Sequence, residues 1–564
     1  MRAFIFGVAL VVVAAAASTA EAACHAVTLS GSGTQDGSSW SNAMANLPAT
    51  LVRGDTYFLG DGSGYRLQGI DPASGSTVTS VKKAVPTAAT GSAATAHCVD
   101  TGWNDATLGS GQAIFVGSPA VDLSAFAYFV LDGQVRTSLS SGHGIKLDSS
   151  ACTNTQCYTL LLGFNAGAKA SHITVQYTEF SQSNPNGTTN FDQDYGVYAY
   201  ANDQTAHASA LTDITLQYNY HHHSACDFIF TRNVANFTVQ NSYFFKNSGG
   251  TACHGQDWED NNSVNLTARY NVFDNSHGTA TLVVLSDGFA VTTSGWYVYG
   301  NVFYDYPGGD GWNANGTVAC INTGITCDNM VVYNNTFANQ QNTVAGAGSN
   351  VAGITVQQAT ASPVCQNNLF YNVDSSVSLQ LNCATEDYNS IVFSGARAGT
   401  LAGAHDVVDT ANTNLFAAAL TTPPAAADFH LLAENSPDYA GGAVLVAPYD
   451  RDPDGNARGA DGTWERGAYE FCADGGCVRP DAGSIPDAGA SGDAGSGADA
   501  GTGTTDAGGA PDGGSALDSG VKVDGGAGQA TGSCGCTGSG VGAEAGAGLG
   551  LLVAARLRRR RARG

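Results

Sequence analysis

Methionine is almost missing from this 564-residue chain, with 3 copies, and charged side chains make up only 13% of it. Helical proteins draw heavily on straight-chain and charged residues, so their scarcity beside 72 glycines argues for a large, turn-rich β architecture. Positive charge is scarcer still: 23 Lys and Arg stand against 48 Asp and Glu, for a net charge of −25. The imbalance is concentrated in residues 23–477, which hold 14 basic against 38 acidic residues. Such a surface repels nucleic acid and anionic polysaccharide at long range. A nucleic-acid role is thereby excluded, and an acidic polysaccharide is a partner only where divalent cations bridge it to the protein. A neutral glycan needs no such bridge.

Long apolar runs are confined to the two ends. Arg2, the apolar stretch Phe4 to Ala17 and the Ala20-Glu21-Ala22 site have the three parts of a secretory signal peptide. Glu21 and Ala22 before Cys24 do not make a lipobox, which argues against an N-terminal lipid. At the other end, Val541 to Ala555 is Gly- and Ala-rich and falls short of the roughly 20 residues of a membrane span.

What the chain does have is a repeat. Asn-x-Phe returns at Asn271, Asn301, Asn335 and Asn368, in steps of 30, 34 and 33 residues, and the frame extends back through Asn219-Tyr220 and Ser242-Tyr243-Phe244. Each occurrence closes a short β-type run: ITVQYTEF (173–180), ITLQYNYH (214–221), FTVQNSYF (237–244), LTARYNVF (266–273), WYVYGNVF (296–303), MVVYNNTF (330–337) and PVCQNNLF (363–370). Alternation gives strands with an apolar inner face, too short and too β-branched for helices. Asn tolerates turn geometry and bonds locally, so stacked copies would chain their amides into a ladder, with Phe filling the interior. A repeat of this length is a solenoid in which each unit buries its inner side chains against its neighbours.

These Asn corners and short strands resemble the right-handed parallel β-helix of the pectate-lyase-like superfamily. The resemblance spans about residues 105 to 400. It implies an all-β chain in which a single strand path winds into a right-handed parallel β-helix. Trp40, Met44, Leu47 and Leu51 at helical spacing, followed by a strand at Thr56 to Leu59, predict a short N-terminal capping helix. The segment from Asp428-Phe429-His430-Leu431 to Gly467-Ala468-Tyr469-Glu470 resembles the closing segment of many bacterial surface β-helix proteins.

Export makes disulfides possible. Of 14 cysteines, the close pairs Cys152/Cys157, Cys320/Cys327, Cys365/Cys383 and Cys472/Cys477 suggest loop staples, and Cys24/Cys98 and Cys226/Cys253 would complete an even set. Spacing alone leaves the connectivity open. Beyond Cys477, Asp recurs every few residues among Gly and Ala with almost nothing apolar, which is an extended, self-repelling spacer. Cys534-Gly535-Cys536, the weak apolar stretch and Arg556 to Arg563 then resemble the MYXO-CTERM sorting tail of myxobacteria and their relatives. That resemblance implies transient membrane anchoring through the tail alone and display on the outer surface of a Gram-negative cell. The chain divides into a signal peptide (1–22), a cap with the first coils (23–104), the β-helix (105–400), a closing segment (401–477), a spacer (478–531) and the tail (532–564), and is expected to be monomeric.

Two regions carry chemistry. Asp450, Asp452, Asp454 and Asn456 alternate around Gly455 with Asp461 twelfth, the oxygen spacing of a Ca2+ loop. Against calcium stand Asp rather than Glu at the twelfth position, the stiff Pro453 and the lack of flanking helices. The alternative is a turn whose carboxylates cap backbone amides, with Arg451 or Arg458 as partner. The second region is the run His221 to His223, Asp227, Lys246, His254, Asp257, Glu259, Asp260, Arg269 and His277 on adjacent coils. His223, Lys246, Asn275 and Asp305 share one offset after the corner and would line one outer edge. A lyase would take Lys246, Arg269 or a His as base, with Ca2+ on Asp257, Glu259 or Asp260. A glycoside hydrolase would pair Asp227 with Asp257 or Glu259. The rival is a non-catalytic adhesive module that binds without turnover. Trp258, Trp296 and Trp312 are candidates for stacking on sugar.

Overall fold

The computed structural model describes residues 22–471 apart from loop segments at 71–74, 155, 165–169, 183–192, 202–210, 225, 248–253, 286–293, 308–314, 322–326, 341–350, 357–362, 375–376, 394–400, 413–414, 417–428 and 433–435. The signal peptide, the spacer, the sorting tail, Cys253, Trp312 and the Cys472/Cys477 pair lie outside the described residues. The chain separates into two compact units, 1–489 and 490–564, and all that follows concerns the first. Among the described residues no helix is long and apolar enough to cross a membrane.

One coil shows how the sequence winds. Thr212–Gln217 alternates buried Ile214 and Leu216 with half-exposed Thr215 and Gln217, turns at Asn219 into Tyr220–Ser224, turns again into Asp227–Arg232, and re-enters the first direction as Ala235–Gln240. Every coil lies parallel on the next: Ile214 sits between Ile173 and Phe237, and His221 between Phe180 and Phe244. The stack builds three sheets of 13, 12 and nine strands in a parallel β-helix around one continuous apolar core. The expected strand frame is two strands rather than one, because the chain bends before the Asn and the Phe belongs to the twelve-stranded sheet.

The asparagines form the expected ladder. The Asn271 amide donates to Asn301 at 3.0 Å, Asn301 to Asn335 at 3.0 Å, Asn335 to Asn368 at 3.0 Å and Asn368 to Asn389 at 3.0 Å. Each Oδ1 also takes the backbone N–H of the preceding ladder residue, so a buried corner that would orphan its amides is satisfied. Inside, Phe180, His221, Phe244, Phe273, Phe303, Phe337 and Phe370 stack with centroids 4.1 to 5.1 Å apart. The corner residues just ahead of the ladder are left-handed, among them Tyr218 (φ 56°), Asn241 (51°), Tyr270 (59°), Gly300 (64°), Asn334 (53°) and Asn367 (58°).

The capping helix is not what forms. Trp40–Asn42 is a single 3-10 turn and Met44–Ala45 is a two-residue strand beside Cys24–Thr28. Asn46 at φ 64° and Pro48 behind it stop a helix from propagating. The apolar spacing instead buries Trp40 in a small core with Ala26, Phe58 and Cys98, closed by Trp103 and the Cys24–Cys98 disulfide. Cys152–Cys157, Cys320–Cys327 and Cys365–Cys383 are also joined, and Cys226 is disulfide-bonded.

The last strand of the twelve-stranded sheet is Val407–Asp409. The segment beyond it returns along that sheet's outer face. Phe429, Ala468 and Tyr469 pack on Tyr243, Val272, Val302 and Tyr304, and the Ala468 amide donates to Thr336 Oγ1 at 2.9 Å. Arg466 ties it to the carbonyls of Tyr388 and His405.

Candidate functional site

The residues expected to act together are distributed over different faces of the coil. Arg269 lies on the thirteen-stranded sheet, where it donates to Gln240 Oε1 at 2.6 Å and to the Tyr299 hydroxyl at 3.0 Å. Lys246 stands in a left-handed column with His223, Asn275 and Asp305 at φ 52° to 60°, so the shared offset is a shared corner at the end of the twelve-stranded sheet. His277 belongs to this corner and bonds Asn275 Oδ1 at 2.5 Å. His254 is exposed on the neighbouring loop, its carbonyl accepting from the Thr279 amide at 2.9 Å.

The three consecutive histidines separate as a strand requires. His221 is fully buried in the aromatic stack, where neither ring nitrogen meets a hydrogen-bond partner. Burial, with His222 and His143 nearby, holds its pKa far below the ordinary value. His222 faces outward and joins Glu179 at 3.3 Å, with Lys146 on the same carboxylate at 2.9 Å. Burial opposes ionisation of Glu179, but hydrogen bonds from His222, Gln112 and Lys146 bring its pKa down to about 2. His143 and Lys146, three positions apart in Gly142-His143-Gly144-Ile145-Lys146, also part. His143 is buried beneath Tyr220 and Lys146 is outward.

The carboxylates do converge. Asp227 is 2% exposed, and its Oδ1 takes the Gln256 amide at 2.9 Å. Burial first, then the adjacent charge of Glu259 and more weakly that of Asp257, push its pKa well up. Asp257 is fully buried, accepts from Ser276 Oγ at 3.1 Å and is pushed up to about 8 by burial. Asp260 is equally buried, bonded by Thr231 Oγ1 at 2.7 Å, and is pushed up to about 6. Glu259 is the one of the four that reaches solvent, on the outer face of the nine-stranded sheet, with Asn261 donating to it at 2.9 Å. The structure sets Asp227, Asp257 and Glu259 within electrostatic reach of one another, places His254, Lys246 and His277 at the adjoining corner, where Asn247 donates to the Gln256 carbonyl at 2.7 Å and Ser276 to Asp257, and leaves Arg269 on the thirteen-stranded sheet.

Beside Glu259 lies a surface the Asn frame does not register. The strands Gln156–Gly163, Gln193–Tyr200 and Asp227–Arg232 place Tyr158, Tyr195, Tyr198 and Phe230 against one another, with exposed Phe164 at the edge. Tyr158 and Tyr195 stack at 6.0 Å, Tyr198 and Phe230 at 5.0 Å, and Arg232 covers the Tyr200 ring at 4.7 Å. Glu259 pairs in register with Phe230 on the preceding coil, so the aromatic run, half-buried except for buried Tyr195, ends at a carboxylate. The Tyr195 hydroxyl is raised by burial first and then by Asp227 and Glu259, which places all three within electrostatic reach. The sequence signal was the Tyr195-x-x-Tyr198-x-Tyr200 spacing. Trp258 and Trp296 have no part in it: both are core residues, 0% and 1% exposed, and Trp258 donates to Thr231 Oγ1 at 2.9 Å.

In the closing segment the alternating side chains bond to their own turn and to His430. Asp452 accepts the amides of Asp454 at 3.0 Å and Asn456 at 2.8 Å and the Asn456 side chain at 3.0 Å, capping its own turn as the alternative reading describes. Burial pushes its pKa up to about 6. Asp454 instead pairs with His430 at 2.6 Å, while the Asp450 carbonyl takes the Arg458 amide at 2.9 Å. Asp461 gathers with Glu465 and Glu470, three carboxylates whose ligand oxygens lie within 4.8 Å of one another.

No protein-family model and no curated protein matches this chain. Among solved structures it resembles pectate lyase Pel9A, with a TM-score of 0.36 and 14% identity over 80% of this chain and 96% of that one. It also resembles the GH136 lacto-N-biosidase from Eubacterium ramulus, with a TM-score of 0.34 and 11% identity over 69% of this chain and 68% of that one.

Proposed function

We propose that this protein binds a neutral polysaccharide across the outer face of the nine-stranded sheet and hydrolyses it at Glu259 and Asp227. The observation that supports the reading is the aromatic run of Tyr158, Tyr195, Tyr198 and Phe230 ending at Glu259. Parallel strands are about 4.8 Å apart, close to the length of one sugar unit in an extended chain. Half-exposed Tyr158, Tyr198 and Phe230 on successive coils, packed on one another, therefore offer a continuous apolar strip of ring edges to the apolar faces of successive sugars. The strong negative charge of the body favours a neutral polymer over an anionic one.

The acids divide the work that hydrolysis requires. Asp227, kept protonated by burial and by Glu259, is suited to give a proton to the leaving oxygen, while Glu259 meets solvent and serves as the ionised partner. Proton abstraction beside a uronate is less well served, because Arg269 is held on the thirteen-stranded sheet by Gln240 and Tyr299. The signal sequence supports secretion, and the Cys-apolar-Arg order of the tail supports surface display. One observation favours the non-catalytic adhesive reading: Asp227 and Asp257 are 2% and 0% exposed, as structural carboxyls would be.

Incubation of the full-length protein with neutral glucans, mannans and xylans, and with uronate polymers alongside, separates these readings. Hydrolysis predicts new reducing ends from a neutral polymer, with rates lowered about 100-fold or more by Glu259→Gln and by Asp227→Asn. Binding without product selects the adhesive reading, and unsaturated ends from a uronate polymer select a lyase.

A further inference from the structure

Asp461, Glu465 and Glu470 stand apart from the carbohydrate face, in the segment that returns along the twelve-stranded sheet. Glu465 is 0% exposed and Glu470 3% exposed, whereas Asp461 faces solvent. At strict hydrogen-bond geometry neither carboxylate oxygen of Glu465 has a donor, the nearest polar groups being the Glu470 carboxyl and the Phe471 amide. Burying such a group with only other carboxylates around it is costly unless a cation or a proton compensates it. One positive charge is near: Arg458 Nη1 lies 3.9 Å from Glu470 Oε2, while its Nη2 is spent on the carbonyls of Gly467 and Ala468 and its Nε on that of Arg451. Three carboxylates against one guanidinium leave two negative charges to be met by a cation, or in part by a proton, since burial and the adjacent Glu470 push Glu465 up to about 9.

The geometry meets the demands of a hard divalent ion. Oxygens bound to one calcium lie about 2.3 to 2.6 Å from it, so any two of them are at most about 5 Å apart. The ligand oxygens of Asp461, Glu465 and Glu470 satisfy that limit at 4.8 Å. Glu465 and Glu470 form a buried wall, and Asp461 leaves the opposite side open for entry and for water. The alternating donors of 450–456 are already engaged, Asp452 with its own turn and Asp454 with His430.

We propose that Asp461, Glu465 and Glu470 form a binding site for a divalent hard cation of the calcium class, which pins the closing segment to the β-helix. The carbonyls of Tyr388 and of the corner residue Asn367 beneath accept from Arg466 and Gly467, the two residues that follow Glu465. Ion binding at Glu465 therefore reports directly on how firmly the segment is docked.

Trp464 adjoins Glu465 in sequence and flanks Gly459, whose amide bonds Glu470, so it serves as an antenna for a lanthanide. In the full-length protein, terbium emission excited through tryptophan is expected to rise on titration and to be displaced by calcium, and added calcium is expected to raise Tm. Glu465→Gln should abolish both responses. Asp461→Asn, an exposed substitution that leaves the buried wall intact, should weaken calcium at least tenfold and guards against a folding defect in the first variant. Asp454→Asn should retain both responses. The proposal is overturned if millimolar calcium neither displaces terbium nor shifts Tm, if both Asp461→Asn and Glu465→Gln bind as the parent does, or if Asp454→Asn alone removes binding.

Discussion

His221 occupies a position that the sequence assigned to a cluster of three histidines and the fold assigned to an aromatic stack. It lies 4.1 Å from Phe180 and 4.6 Å from Phe244, with both ring nitrogens buried and without partners. An unsatisfied buried polar group costs about 1 to 3 kcal/mol. His221→Phe continues the stack and is expected to raise the melting temperature, as thermal unfolding would show; a lowered one would mean that the nitrogens have a role. The buried carboxyls carry a second prediction. Burial pushes Asp257 up to about 8, Asp274 to about 7 and Asp260 to about 6, from an ordinary 3.8. Between the ordinary and the raised values the folded chain holds protons that the unfolded chain has lost, so stability falls as pH rises from about 4 towards about 8. Buried His221 and His143, neutral when folded, oppose this trend up to about pH 6.5, so melting temperature should be lower at pH 8 than at pH 6.5, and Asp257→Asn should flatten that slope. Legibility at this scale was partial. His, Asp and Glu were visible as a dense group, but single letters do not tell which alternate position points inward, and Asp227, Asp257 and Asp260 proved to be buried.

At the scale of the strand and its corner, legibility follows from what repeats. The Asn column was readable because its function is local and identical in every coil: one amide satisfies the corner above and the corner below. Asn301 accepts from Asn271 N and Nδ2 and donates to the Ala268 carbonyl at 2.8 Å, so Asn301→Ala orphans several buried groups. The expected loss is about 2 to 4 kcal/mol in denaturant unfolding; a loss within error would mean that the ladder is decoration. The capping helix failed for the opposite reason. Helical spacing at Trp40, Met44, Leu47 and Leu51 coincided with burial, but Asn46 and Pro48 decided the backbone. The nine-stranded sheet was invisible because loops of differing length separate it from the Asn corner, so no fixed offset registers Tyr158, Tyr195, Tyr198 and Phe230 on one another. Pairing supplies that register, and with it the candidate face.

The whole molecule combines an acidic body, one continuous core and a returning segment that occupies the outer face of the twelve-stranded sheet. That coverage withdraws Tyr243, Asp274 and Tyr304 from solvent and leaves the aromatic face of the nine-stranded sheet as the surface best suited to an extended ligand. Fold class was legible throughout because a solenoid repeats its own instructions, whereas the site arises once and depends on which sheets are covered. Calorimetric titration of neutral polysaccharide fragments into the full-length protein and its variants tests the central claim most directly. Tyr198→Ala and Phe230→Ala should each weaken binding about 3- to 10-fold, the value of a stacking contact, while Tyr333→Ala on the thirteen-stranded sheet should leave it unchanged. Equal affinities for Tyr198→Ala, Phe230→Ala and the parent protein, or a loss confined to Tyr333→Ala, would contradict the assignment of this face.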